Sequence, residues 1–186
     1  MVDRGDLFYS NSITTTTNGN ALIGGSPFGS SGGFDELEYH IRNEYDGWYR
    51  TLETYGTGPS ERIVSKPSVL GGMVFVAAFV PNDDICGFGG ETGFYAVYYA
   101  TGTGYTSQIF EIDNPTYINV GGSSEEVVEV KMPGSFIGVP PPSAGIHAGQ
   151  EEGVRAFIQL STGRILEIDA KPPFDFRGRI IDWWDM

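Results

Sequence analysis

The chain has 186 residues, with 24 acidic and 11 basic side chains and a net charge of −13. That length suits one domain with a sizeable core and is too short for two large independent ones. The scattered basic residues exclude a nucleic-acid partner, which needs a clustered positive field.

The composition of 27 Gly, 12 Phe, 10 Tyr and 3 Trp, with few helical patterns, reads as sheet and turn. The longest apolar run, Val69 to Pro81, reaches thirteen residues, whereas a spanning helix needs about 20. No membrane span is therefore expected. Met1-Val2-Asp3 opens the chain without the charged and apolar regions of a secretory signal peptide, as expected of a protein that stays inside or of a piece of something longer. Cys86 is the only cysteine, so no intramolecular disulfide can form.

In chain order, Gly5 to Ser10 is a short strand candidate. Arg4-Gly5-Asp6 spells the tripeptide that integrins recognise on an exposed loop tip, although a turn entering the strand is the preferred reading. Asn11 to Gly33 is a polar segment with four consecutive threonines and many Gly, Ser and Asn. Such a composition buries too little apolar area to offset chain entropy, so a long, flexible connection is expected there. This divides the chain into residues 1–33 and a main body of residues 34–186. Phe34, Leu37, Ile41 and Tyr45 lie at spacings of three, four and four, one face of an amphipathic helix with Asp35 near its start. The same stretch alternates through Leu37, Tyr39 and Ile41, so a strand stays open beside the preferred short helix.

From Trp48 the pattern becomes regular β. Strands are expected at Trp48–Thr54, Ile63–Leu70, Met73–Phe79, Phe94–Tyr99 and Thr106–Glu111. Gly71-Gly72 has the length and chemistry of a tight hairpin turn, whose central residues take positive φ. Thr101 to Gly104 supplies a longer turn. The four strands from Ile63 to Glu111 make a meander about the size of one propeller blade, typically ~40–50 residues.

Further on, Glu125–Lys131, Ser135–Val139, Val154–Leu160, Arg164–Asp169 and Arg179–Trp184 are strand candidates, interrupted by Pro140 to Pro142, which no central strand tolerates. Ser161-Thr162-Gly163 is another tight turn, and it makes Phe157 to Ile168 a weak repeat of Ala96 to Phe110. The expected fold is all-β, with propeller-like antiparallel blades, an incomplete propeller, and at most one short helix.

The ordered series Ser65-Lys66-Pro67, Gly71-Gly72, Pro81 to Cys86, Gly89-Gly90 and Tyr95 to Gly102, followed by Gly153 to Ile168 and a closing Trp-containing strand, resembles the C-terminal β-propeller of the PilY family of type IV pilus tip-associated adhesins and biogenesis factors. Two departures stand out: Tyr98 replaces the acidic residue usual in that strand, and the family's calcium loop of alternating aspartates has no match here. Asp83 and Asp84 are adjacent, and neighbours on an extended chain point apart, so Asn82-Asp83-Asp84 reads as a turn rather than a calcium cage. With room for about three or four blades, the chain is expected to be a fragment or a subunit that completes its propeller against another chain.

The resemblance implies a non-enzymatic module for protein–protein or surface attachment, at the cell surface, pilus tip or periplasm and outer membrane. Its implied partners are pilins or minor pilins, the rest of a longer adhesin chain or a second copy, and a host or abiotic surface. Contacts are expected on the loop Pro81 to Glu91, at Asn82, Asp83, Asp84, Cys86 and Glu91, and on the loop from Pro140 through Gly149, because binding usually lives on loops of a rigid scaffold. Neither His40 nor His147 lies near a Gly-x-Ser-x-Gly turn, and no nucleophile signature surrounds Cys86, so no catalytic residue and no cofactor is assigned. Two other classes fit a β-rich chain of this kind, a quinoprotein-like propeller enzyme and a structural β-domain of other role, because fold alone never settles function.

Overall fold

A computed structural model describes residues 4–52, 58–83, 89–134, 136–138, 145–149 and 153–173. A 3-10 turn at Arg4–Asp6 precedes β1 (Phe8–Tyr9), and a second at Ser10–Ser12 precedes β2 (Ile13–Thr15), β3 (Ala21–Ile23) and β4 (Ser26–Pro27). Then come α1 (Phe34–Glu44), β5 (Trp48–Tyr49), β6 (Arg62–Ile63), β7 (Ser68–Leu70), β8 (Met73–Pro81) and β9 (Gly90–Tyr98). The last elements are β10 (Tyr117–Val120), β11 (Ser123–Glu126), β12 (Phe136–Ile137), β13 (Gly145–Gly149), β14 (Gly153–Gln159) and β15 (Ile165–Ala170). The fold is all-β with one α-helix, built from antiparallel sheets that form no closed barrel among the described residues. Only the short pair β1 and β5 runs parallel in that set.

The largest sheet has five strands in the order β12-β9-β8-β6, with β7 also on β8. Its centre is the β8–β9 hairpin, in register from Met73 opposite Tyr98 to Pro81 opposite Gly90. The Gly71-Gly72 turn that joins β7 to β8 has φ of +54° and +79°, as a two-residue hairpin loop requires. Side chains alternate between faces along a strand. Met73, Phe75 and Ala77 therefore join Phe94, Ala96 and Tyr98 on one face, which lies in the main core. Val74, Val76 and Ala78 share the opposite face with Gly93, Tyr95 and Val97. The helix expected from the spacing of Phe34, Leu37 and Ile41 is present, and all three residues are buried in the same core. Leu166, Ile168 and Ala170 bring β15 into it as well, matching that strand's strict in–out alternation.

Several expected elements differ. The polar stretch from Asn11 to Gly33 is not one long loop: β2, β3 and β4 form a three-stranded antiparallel sheet within it. Buried Ile13, Thr15, Thr16, Ala21 and Leu22 supply the apolar and bonded contacts that bulk composition hides. The expected strand Ile63–Leu70 is split into β6 and β7, because Ser65 turns its hydroxyl onto the Ala77 carbonyl at 3.1 Å and Pro67 interrupts the ladder. Thr106–Glu111 forms no strand. There Gln108 bonds through its side chain to Val127 O at 2.6 Å, and Phe110 makes a single bridge to Ala170. The repeat of hairpins is thus one-sided: Phe157 to Ile168 is the β14–β15 hairpin, whereas Ala96 to Phe110 is a strand followed by turns and bends. Trp48–Thr54 shortens to β5, with residues 53–57 outside the described set, as is the expected closing strand Arg179–Trp184.

Candidate functional site

The long β8–β9 hairpin carries the loop singled out from the sequence at its turn end, between Pro81 and Gly90. The ladder continues one step past Pro81 and Gly90, where Asn82 N donates to Gly89 O at 3.3 Å. Asn82, Asp83 and Glu91 are exposed at this end, and all three line one open cleft of about 880 Å³ together with Gly58, Pro59 and Ile137. Ile137, on the neighbouring strand β12, is 76% exposed and borders the polar groups of this cleft. Asp84 and Cys86 lie outside the described residues.

A second cleft of about 560 Å³ adjoins the first, sharing Val80 and Glu91. Its base is a buried charged network that sequence reading did not identify. Tyr95 donates its hydroxyl to Glu61 Oε2 at 2.5 Å, and Lys131 Nζ lies 3.2 Å from Glu61 Oε1. The same ammonium sits 5.2 Å from the centre of the Tyr95 ring, within cation–π range. Three separate stretches are drawn together here, because Glu61 enters β6, Tyr95 is central in β9, and Lys131 bridges Tyr95 from the far side.

Gly93 makes this crossing possible. A Cβ at that position would lie 3.0 Å from Glu61 Oε1 and 3.1 Å from Lys131 Cε, so any side chain crowds the pair as it passes over the sheet. Gly93 follows Gly89-Gly90 by three residues and precedes the apolar run that starts at Phe94, so the sequence does not set it apart from the loop glycines.

Burial, and then the bond to Glu61, push the Tyr95 phenol well above its ordinary value, against the opposing pull of Lys131. At any working pH Tyr95 is therefore a hydrogen-bond donor and not a base. Glu129, Asn114 and Thr116 add further polar lining, beside the apolar Ile112 and Met132. Such an arrangement can hold and orient a partner's polar groups. Among the described residues no three His, Cys, Asp or Glu side chains converge as metal ligands.

The remaining sequence candidates lie elsewhere. Arg4–Asp6 forms the first 3-10 turn, with Gly5 and Asp6 exposed and the Asp6 carbonyl accepting from Asp46 N at 3.0 Å. Neither Gly5 nor Asp6 lines either cleft. His40 is packed among the rings of Phe8, Phe28 and Tyr45 and lies 3.1 Å from Glu44 through Nδ1. No described helix is long and apolar enough to cross a membrane.

No family model matches the chain, and no curated protein matches it. Among solved structures it is similar to the crystal structure of the Pseudomonas aeruginosa PilY1 C-terminal domain, with 14% sequence identity and a TM-score of 0.51. The match covers 92% of this chain and 33% of that one, so the chain spans about a third of that structure's length. The shared feature is the fold, and it agrees with the series of motifs that resembles the PilY family.

Proposed function

We propose, from a fold shared with part of the PilY1 C-terminal domain, that this chain is a non-enzymatic binding module associated with type IV pili. It acts at the cell surface or in the periplasm by contact with pilins or minor pilins. The observation that carries this reading is the extent of the match, which takes in 92% of the chain rather than one hairpin. Its sheets then correspond to blades of a larger assembly that is completed by the rest of a longer chain or by a second copy. The contact surface on this reading is the pair of joined clefts at the turn end of the β8–β9 hairpin, where Asn82, Asp83 and Glu91 are displayed on a rigid ladder and Ile137 offers exposed apolar area.

The test is light scattering of the purified chain alone and with minor pilin subunits, repeated with Asn82→Ala, Asp83→Ala and Glu91→Ala combined. A complex with a minor pilin that the triple variant weakens at unchanged unfolding temperature is the expected result. A chain that binds none of the subunits, or a triple variant that binds as well as the wild type, overturns the assignment of this surface.

A further inference from the structure

A third cleft, of about 580 Å³, lies between α1, the entry to β5 and the turn after β9, and is lined by Arg42, Tyr45, Asp46, Trp48 and Tyr99 among others. It shares no residue with the clefts at the hairpin end.

Its aromatic rings are held in place from several sides. The Trp48 indole Nε1 donates to the Tyr99 carbonyl at 2.8 Å. Its six-membered ring is seated against Gly102, which has φ of +69° and no room for a Cβ beside Cε3 and Cδ2. Tyr99 stands edge-on to Tyr98 with ring centres 5.0 Å apart, and its hydroxyl accepts from Arg42 Nη2 at 3.4 Å. Arg42 is steadied in turn by Glu38 at 2.7 Å. Yet Tyr99 remains 49% exposed, so these restraints hold an open aromatic surface rather than a closed core.

The chemistry of the lining selects the ligand. A wholly apolar ligand is disfavoured, because covering Arg42 and Asp46 without hydrogen bonds carries a desolvation cost. A polyanion is disfavoured by the net charge of −13. What fits is a neutral molecule with one apolar face and a hydroxyl-bearing edge. The C–H face of a hexopyranose carries slight positive charge and suits the negative face of an aromatic ring. Its vicinal hydroxyls match the forked donors of a guanidinium and the paired acceptor oxygens of a carboxylate. Because the rings are already immobilised, little side-chain entropy is lost on binding.

We propose that this cleft is a carbohydrate-binding site, with Trp48 and Tyr99 as the stacking surface and Arg42 and Asp46 reading hydroxyl groups. The proposal is independent of the pilus reading and of the hairpin-end surface.

The test is an NMR titration of the 15N-labelled full chain with the methyl pyranosides of glucose, galactose, mannose and N-acetylglucosamine. The reporter is the indole N–H resonance of Trp48, identified by its loss in Trp48→Phe. At least one sugar is expected to shift that resonance saturably, and Arg42→Gln or Asp46→Asn to weaken binding about tenfold, equivalent to about 1.4 kcal/mol. Both of those variants are expected to keep the wild-type unfolding temperature. If no sugar in the panel moves the Trp48 resonance, or if both polar variants bind as the wild type does, the proposal fails. It also fails if a proline-rich peptide shifts the resonance and no sugar does.

Discussion

Glu61 and Glu125 are both buried, each only 6% exposed, yet the surroundings answer the two carboxylates by opposite means. Glu61 meets a cation, with Lys131 at 3.2 Å and the Tyr95 hydroxyl at 2.5 Å. The bonds that hold Glu125 come from neutral donors: Asn20 Nδ2 lies 2.9 and 2.8 Å from its two oxygens, and the Thr16 hydroxyl donates at 2.7 Å. Those donors, Asn20 first and Thr16 next, favour the ionised form and hold the Glu125 carboxyl below its usual range. The first arrangement clamps the strands of one sheet to each other, and the second ties the N-terminal sheet to the β10–β11 hairpin. A buried ion pair adds little net stability but is damaging to break, because each partner depends on the other. A carboxylate held by neutral groups depends instead on keeping its own charge.

The largest expected effect tests the first half of this contrast. Glu61→Ala removes the carboxylate that faces both Lys131 and Tyr95, and is expected to cost about 3–5 kcal/mol in urea unfolding. Glu61→Leu combined with Lys131→Met is expected to recover most of that loss, since apolar groups of similar volume often replace a buried pair at little cost. If the double variant is as unstable as the single one, the pair is valued for its packing and not for its charge.

The second half predicts a smaller effect that depends on pH. Glu125→Ala leaves the Asn20 and Thr16 donors without this acceptor, at a cost of about 1–3 kcal/mol at neutral pH. The folded-state pKa of Glu125 lies below its ordinary value of 4.5. Its contribution is therefore fully present above that value and is lost as pH falls through the folded pKa. The stability gap between wild type and Glu125→Gln is accordingly expected to narrow in urea titrations run progressively below pH 4.5. A gap that is constant or widens on acidification contradicts the assignment. The smallest change sharpens the Glu61 side: Gly93→Ala brings a Cβ to 3.0 Å from Glu61 Oε1, but the flexible end of Lys131 can move aside. A cost of about 1 kcal/mol is expected, shrinking in the Glu61→Leu, Lys131→Met background when followed by thermal unfolding.

The two carboxylates also mark how far the sequence could be read. The β8–β9 hairpin was legible, because its apolar runs are continuous and Gly71-Gly72 prescribes the turn before it. Its length was not: β9 begins at Gly90, four residues before Phe94, since Glu91, Thr92 and Gly93 have no strand pattern of their own and are held by the ladder to β8. The helix at Phe34 was legible from three buried positions on one face. The sheet at Ile13 to Pro27 was not, because the group that satisfies Thr16 sits 109 residues later in the chain. The same applies at the candidate site. Asn82 and Asp83 belong to one visible loop and Glu91 to the strand that leaves it, whereas Glu61, Tyr95 and Lys131 are unremarkable singly and acquire meaning only through pairing across strands.

The bridge from Thr16 to Val127 and the bonds from Asn20 to Glu125 have a consequence in time. Asn20 and Glu125 are 105 residues apart, so during synthesis at about 5–20 residues per second the early sheet waits roughly 5–20 s for its partner to be made. Over that interval β2 to β4 lack the partner groups that the finished chain supplies, and strand edges without partners are open to pairing with a neighbouring nascent chain. The polar, threonine-rich composition that made this stretch look like a linker then acts as protection, since it keeps the waiting segment soluble until Glu125 arrives.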